Sequence, residues 1–185
     1  KIRREDLDAV REEELRRVSR HYRLERSPLF LGYNDQELAV VNHEEGVRKI
    51  INVMFHVKPT AVITHGPKGL GGHPDHIALH FLVRDAFSHY KKSPTHAPRL
   101  LYAAASQDII EAWDIDLDSP EASPHVVIEV GSYWETKIEA LKLYASQEDA
   151  QDVAAQCQAM PLRREYFHQV EPTVDHGVVL QDLWS

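Results

Sequence analysis

Four of the 12 histidines in this chain lie in one short segment: His65, His73, His76 and His80. His73 and His76 are separated by two residues, one of which is Asp75. Imidazole nitrogens and carboxylate oxygens are zinc ligands, and a catalytic zinc site uses three protein ligands and a water. An HxxH pair also arises by chance, and a histidine in a first helical turn can cap the helix or face solvent. Spacing alone therefore leaves a metal or catalytic role and a structural role equally open.

The neighbours of this histidine pair would suit a ligand-binding junction. The two glycines before His73 let the backbone approach a ligand closely, and Pro74 stiffens the connection between the histidines. Asp75 can accept a hydrogen bond from a neighbouring imidazole and so fix its tautomer. His80 lies one turn beyond His76 on a broadly apolar helix. A packed, structural role is therefore favoured for His80.

The elements that would carry these residues alternate between strands and helices. Apolar runs predict strands at 29–32, 60–64, 100–105 and 125–130, and apolar periodicity with start and stop signals predicts helices at 4–22, 42–56, 74–90, 134–145 and 148–158. The chain after Pro161 shows no clear pattern. This alternation predicts a parallel or mixed sheet covered by helices on both faces. The glycine-rich loop 66–72 follows a strand, at the end where such sheets collect their chemistry.

Composition narrows the class of protein. The 185 residues suffice for one domain, residues 1–185, and the hydrophobic fraction of 43% is ordinary. A net charge of −8 disfavours nucleic acid as a partner. The single cysteine, Cys157, excludes an intrachain disulfide and fits a reducing compartment, so a cytoplasmic protein is expected. No apolar run of about 18 residues predicts a membrane span, and no signal peptide is predicted.

The segment from Ala61 to Leu79, AVITHGPKGLGGHPDHIAL, resembles a signature of the LmbE/PIG-L-like zinc-dependent N-acetylglucosaminyl de-N-acetylases. In that signature a strand and a Gly-Pro-x-Gly loop precede His-Pro-Asp-His. Three weaker matches stand in the family's order along the chain: an Arg-x-x-Glu-Leu helix at 11–15, a Leu-Gly-Tyr-x-Asp turn at 31–35, and a Lys-x-x-Ala-Leu helix from 137 that ends at Ser-Gln, 146–147. Only His-Pro-Asp-His is specific by itself.

The resemblance implies a fold, a reaction and a set of site residues. The fold would be a Rossmann-like three-layer α/β sandwich with a mostly parallel sheet. The reaction would be hydrolysis of the acetamide of an N-acetylglucosamine-type sugar or conjugate. His76 would be a ligand of one Zn²⁺, and His73, when protonated, would stabilise the oxyanion or assist the leaving amine. Asp75 would orient or tune the neighbouring histidine. Arg11 and Asp35 fall where the family contacts its sugar substrate.

One family signature does not occur in this sequence. An Ala-His-Pro-Asp-Asp segment in the family supplies a His ligand, an Asp ligand and the general base. The sequence therefore predicts an N-terminally incomplete domain whose sheet lacks its first strand, and an open sheet edge would favour homo-oligomers. His65 stands where an aromatic residue is more usual. It is either a substitute ligand or a loop histidine near the pocket.

Other functions compete with deacetylation. An amidase acting on a related glycosyl conjugate fits the same motifs. A non-catalytic sugar-binding or scaffold protein with a degenerate deacetylase fold would explain the absent signature. An unrelated metal-dependent phosphohydrolase would need a further cluster of His and Asp ligands, and the sequence offers none outside residues 65–80.

Overall fold

The computed structural model describes residues 6–93, 97–118, 120–161, 163–174 and 179–182. The predicted start of the first helix, at residue 4, lies outside these residues. The helices are α1 (Leu7–His21), α2 (His43–Val57), the single turn α3 (Gly69–Gly72), α4 (Pro74–Tyr90), α5 (Gln107–Trp113), α6 (Trp134–Lys142) and α7 (Glu148–Ala159). The strands are β1 (Ala61–Thr64), β2 (Arg99–Ala104), β3 (Val126–Glu129) and β4 (Arg164–Glu171).

The chain divides into two compact units. The first contains the described residues of Lys1–Gly32 and Glu129–Arg164, and the second those of Tyr33–Ile128 and Glu165–Ser185. The first unit therefore holds α1, α6 and α7. The second holds the remaining helices and the body of the sheet. None of the helices in the described ranges is long and apolar enough to span a membrane.

The four strands form one mixed sheet in the order β1-β2-β4-β3. Strands β1 and β2 are parallel, with Thr64 opposite Tyr102, whereas β4 runs antiparallel to β2. The α/β prediction is confirmed, but the sheet is less parallel than expected because the unassigned tail supplies β4. The predicted strand at 29–32 is wrong: those residues have no regular secondary structure.

Local signals explain the helices that bear on the site. Asn42 caps α2 by accepting a hydrogen bond from the Glu45 N–H, as its sequence predicts. Lys58 then ends α2 in a left-handed conformation, just before β1. Helix α2 packs on α4, where a Cβ added to Gly46 would lie 2.9 Å from the Leu82 side chain. The absence of a side chain at Gly46 thus permits the close approach of the two helices.

The first unit has a small core with a buried carboxylate. Glu14, only 4% exposed, accepts hydrogen bonds from the backbone N–H and the hydroxyl of Ser146, both at 2.7 Å. Trp134 is buried and donates its indole N–H to the carbonyl of Cys157. Buried side-chain hydrogen bonds therefore connect α1, α6 and α7, in addition to apolar packing.

Candidate active site

The candidate site is built on the connection between β1 and α4. His65 follows directly on β1, and the chain then turns through α3, whose backbone departs from helical geometry. Gly69 has φ of 66°, Leu70 of 53° and Gly72 of 81°. The left-handed region is natural for glycine but costs a residue with a Cβ about 1–2 kcal/mol. Leu70 is therefore held in place by contacts elsewhere in the fold.

His73 is the N-cap of α4. Its backbone is extended, Pro74 begins the helix, and the ring Nδ1 accepts a hydrogen bond from the Asp75 N–H at 3.2 Å. A backbone N–H can only donate, so Nδ1 must carry a lone pair. The proton of the neutral ring is then on Nε2. The cap therefore leaves His73 with an Nε2–H donor.

His76, one turn into α4, has the opposite tautomer. Its Nδ1 lies 3.1 Å from the carbonyl oxygen of Gly69, and a carbonyl can only accept, so Nδ1 carries the proton. The Nε2 of the neutral ring then has a lone pair available for a metal. A backbone carbonyl on the other ring nitrogen is a common way for proteins to fix the orientation of a metal-binding histidine.

Three imidazoles come together at this point. The rings of His65 and His76 are stacked, with centroids 3.9 Å apart and planes at 5°, and the His73 ring lies 4.8 Å from that of His76. Burial lowers the pKa of His65 to about 4, and repulsion from the other two imidazoles adds to this. The structure thus places His65 against the predicted ligand as a neutral ring.

His80 has a structural environment, as its apolar helix predicts. It is 3% exposed, donates from Nδ1 to the His65 carbonyl at 3.2 Å and packs edge-to-face on Tyr102. Burial lowers the pKa of its imidazole. His80 therefore holds the backbone at His65 in place through this hydrogen bond.

Asp75 contacts the main chain. Its carboxylate accepts hydrogen bonds from the backbone N–H groups of Gln36, at 2.6 Å, and Leu38, at 3.0 Å. These contacts hold residues 36–38 against the start of α4. The predicted role of this carboxylate, to orient a neighbouring histidine, stays a prediction. Asp35, a predicted substrate contact, precedes this anchored segment directly.

Arg11, the other predicted substrate contact, lies on α1 in the first unit. Its assignment stays a prediction.

Glu121 is a site residue that the sequence does not reveal. It is 0% exposed, and its carboxylate accepts hydrogen bonds from the backbone N–H groups of Lys68, at 2.6 Å, and Leu70, at 2.8 Å. In the sequence it belongs to an acidic, proline-containing stretch that is typical of a solvated loop. Its partners are main-chain amides, which leave no trace in a sequence pattern.

Among the clustered histidines, one side chain has a nitrogen positioned to bind zinc. His76 offers an Nε2 lone pair, and the buried Nδ1 of His65 makes no hydrogen bond to the described residues. Across the described ranges, however, no group of three His, Cys, Asp or Glu side chains could hold a metal ion. A complete three-ligand zinc site is therefore not formed by the described residues.

Two sequence comparisons place the chain among deacetylases. The PIG-L family model, described as GlcNAc-PI de-N-acetylase, matches residues 1–87. A probable N-acetyl-alpha-D-glucosaminyl L-malate deacetylase 2 of Bacillus anthracis is 32% identical over 172 residues, which are 93% of this chain and 68% of that protein. A 1D-myo-inositol 2-acetamido-2-deoxy-alpha-D-glucopyranoside deacetylase of Saccharomonospora viridis is 28% identical over 56% of this chain and 43% of its own length.

Solved structures share the fold. A conserved protein from Thermus thermophilus superposes with a TM-score of 0.66 at 20% identity, over 90% of this chain and 75% of that one. GalB, the 4-carboxy-2-hydroxymuconate hydratase from Pseudomonas putida, gives a TM-score of 0.66 at 16% identity, over 97% and 78%. Because the match to the Bacillus anthracis relative is both close and long, the chain belongs to the PIG-L (LmbE-like) family of de-N-acetylases, hydrolases that cleave an amide bond.

Proposed function

We propose that this chain acts in a zinc-dependent de-N-acetylase whose substrate is an N-acetyl-α-D-glucosaminyl group joined to a small polar alcohol. The proposed zinc dependence rests on the hydrogen bond from His76 Nδ1 to the Gly69 carbonyl, which leaves Nε2 to bind zinc. The remaining ligands would lie outside the described residues. The names of the two relatives support the substrate class, because they share the acetylated sugar and differ in the alcohol, malate or myo-inositol.

Amide hydrolysis needs an activated water, an electrophilic hold on the carbonyl oxygen and a proton for the departing nitrogen, of which zinc supplies the first and part of the second. His73 suits the remaining part of the hold on the carbonyl oxygen. Its Nε2–H, fixed by the cap on Nδ1, is a donor that can hold this oxygen. The proton for the departing amine would then come from the water that is consumed.

In a protein that carries the complete set of zinc ligands, His76→Ala should abolish zinc binding and deacetylation. The measurements are zinc per protein by elemental analysis after dialysis, and release of free amine from N-acetyl-α-D-glucosaminyl L-malate and from the myo-inositol glycoside. We expect about one zinc ion in the unaltered protein and essentially none in the variant. His89→Ala, at an exposed site on the same helix, is the matched control.

Each alternative has its own outcome in this experiment. Stoichiometric zinc in the His76→Ala protein would refute the ligand assignment. Sugar binding without amine release, in a protein that holds zinc, would point to a binding role. Release of an acid other than acetate from a related conjugate would identify an amidase. The shared fold of the hydratase decides none of these, because unrelated reactions can occupy one fold.

A further inference from the structure

The loop between β1 and α4 sets the chemistry of His76. The carbonyl that accepts the His76 Nδ1–H belongs to Gly69, and Leu70 beside it has a left-handed φ of 53°. A carbonyl in such a turn points correctly only while the turn keeps this conformation. If the turn relaxed, the hydrogen bond would be lost and the proton of the neutral ring could move to Nε2. The tautomer of His76 thus depends on whatever holds residues 66–72.

Glu121 holds this turn from the inside of the second unit. Each of its two carboxylate oxygens accepts one backbone N–H of the turn, from Lys68 and from Leu70. The Leu70 N–H belongs to the same planar peptide group as the Gly69 carbonyl, so its hydrogen bond fixes the direction of that carbonyl, and the Lys68 N–H anchors the turn just before Gly69. The Glu121 side chain is fully buried, and its own backbone carbonyl accepts the Ala105 N–H at 2.9 Å, which ties it to the end of β2.

Gly66 shows how closely this carboxylate fits. A Cβ added at position 66 would lie 2.8 Å from a carboxylate oxygen of Glu121 and closer still to two of its carbons. The glycine therefore provides the space that the buried side chain fills. Gly66 also accepts a hydrogen bond from the Gly69 N–H at 3.0 Å, so the same residue that makes room for Glu121 completes the turn.

We propose that Glu121 is the positioning residue of this site: by holding the Lys68 and Leu70 amides it aims the Gly69 carbonyl at His76 Nδ1 and keeps the His76 Nε2 lone pair exposed. The described contacts of Glu121 are to backbone groups, so in this role it acts through His76. The effect of Glu121 on the His76 tautomer follows from the geometry alone, whereas its effect on turnover rests on the proposed function.

The test is Glu121→Gln, which keeps the shape of the side chain but replaces one acceptor oxygen with an NH₂ group that faces a backbone N–H. The protonated nitrogen of His76 is read from long-range ¹H–¹⁵N correlations, assigned by their loss in His76→Ala. Amide hydrogen exchange of Lys68 and Leu70 is read in parallel. Asp118→Asn is the control, because Asp118 contacts the Lys68 ammonium of the same loop at 3.5 Å on its exposed side.

We expect an Nδ1–H tautomer in the unaltered protein and in Asp118→Asn. In Glu121→Gln we expect a mixture of tautomers and faster exchange of both amides. Turnover should fall about 10–100-fold, the usual cost of a lost positioning contact, with KM little changed. Unchanged tautomer and exchange in Glu121→Gln would overturn the proposal. A shifted tautomer with unchanged turnover would overturn its consequence for the reaction.

The two proposals fail separately. If the unaltered protein releases no amine while Glu121→Gln still shifts the tautomer, the positioning role stands and the deacetylase substrate is wrong. If Glu121→Gln loses its native circular dichroism, Glu121→Asp is measured in its place. Asp keeps both acceptors on a shorter side chain, so it should lengthen both hydrogen bonds and loosen the same amides. A native His76 tautomer with protected amides in that variant would also overturn the proposal.

Discussion

His73 has two roles that a substitution can separate. As the N-cap of α4 it satisfies the Asp75 N–H through Nδ1, and as the proposed donor it presents Nε2–H. Ordinary caps are Ser, Thr, Asp or Asn, whose short side chains accept the same kind of hydrogen bond. An imidazole accepts on one side of the ring and donates on the other. One ring can therefore cap the N-terminus of α4 and act as the proposed hydrogen-bond donor at the same time.

His73→Ala should lose both roles, and His73→Asn only one. The alanine variant should be destabilised by about 0.5–2 kcal/mol through loss of the cap. The asparagine variant should recover most of that free energy of unfolding, because Asn is a favoured cap. Turnover should fall about 10²–10⁴-fold in both, the range for a lost acid or oxyanion donor. Urea unfolding and single-turnover amine release measure the two effects.

Full turnover in His73→Asn would exclude the imidazole from the reaction. Equal stability of the two variants would show that the Nδ1 hydrogen bond contributes little to α4.

At the scale of elements, the turn between β1 and α4 contains two glycines, Gly66 and Gly69, where an added Cβ would lie less than 3.0 Å from a neighbouring side chain. Gly66→Ala should push a methyl group into the Glu121 carboxylate. Because the Glu121 carboxylate accepts two described hydrogen bonds, the side chain cannot move aside without losing at least one of them. We expect destabilisation of about 1–3 kcal/mol, the usual cost of overpacking.

Gly131→Ala is the matched control for Gly66→Ala, because a Cβ there meets nothing within 4 Å. Thermal unfolding of both variants measures the difference. Equal melting temperatures would show that the loop accommodates the methyl group and that Glu121 is less firmly held than its contacts indicate.

The sequence predicts those parts of the fold that have local causes. The Asn42 cap, the apolar run of β1 and Pro74 at the start of α4 each act within a few residues, and the structure has all three. Strand β4 could not be predicted from local signals, because it is defined by its antiparallel pairing with the distant strand β2. The role of Glu121 could not be predicted from them either, because a buried carboxylate bound to main-chain amides resembles a solvated acidic residue in sequence.

Within the candidate site, pattern and family resemblance single out residues 65–80, and the structure brings His65, His73 and His76 together. The tautomers could not be predicted, since they depend on a carbonyl and an amide of the folded backbone. The contacts of Asp75 with residues 36 and 38 could not be predicted either, for the same reason. The roles of these residues in binding and catalysis stay predictions.

At the scale of the whole molecule, buried neutral histidine makes stability depend on pH. Burial lowers the pKa of His80, and the nearby Arg84 lowers it further. As pH falls through the ordinary value of 6.5, the unfolded chain takes up a proton that the folded state resists. The free energy of unfolding should therefore fall on acidification, until the pH reaches the lower pKa of the folded state.

His80→Asn should weaken this dependence, because Asn can still donate to the His65 carbonyl but does not titrate. Urea unfolding at about pH 7.5 and about pH 5.5 gives the change in stability for each protein. Subtracting the two changes removes the contribution of the other titrating groups, including His65, whose pKa is also lowered by burial. Equal changes in the two proteins would show that the folded state binds the proton at His80 as readily as the unfolded chain.

The hydrogen bonds from residues 36–38 to Asp75 have a consequence for the order of folding. They close chain separations of 37 and 39 residues, and those of Glu121 close 51 and 53. The entropy cost of loop closure opposes contacts between residues so far apart in sequence, so we expect these contacts to form late in folding. Local helix formation in α2 and α4 does not make these contacts. The hydrogen bonds that hold residues 36–38 and the turn 66–72 are therefore expected to form only as the long-range topology of the second unit is completed.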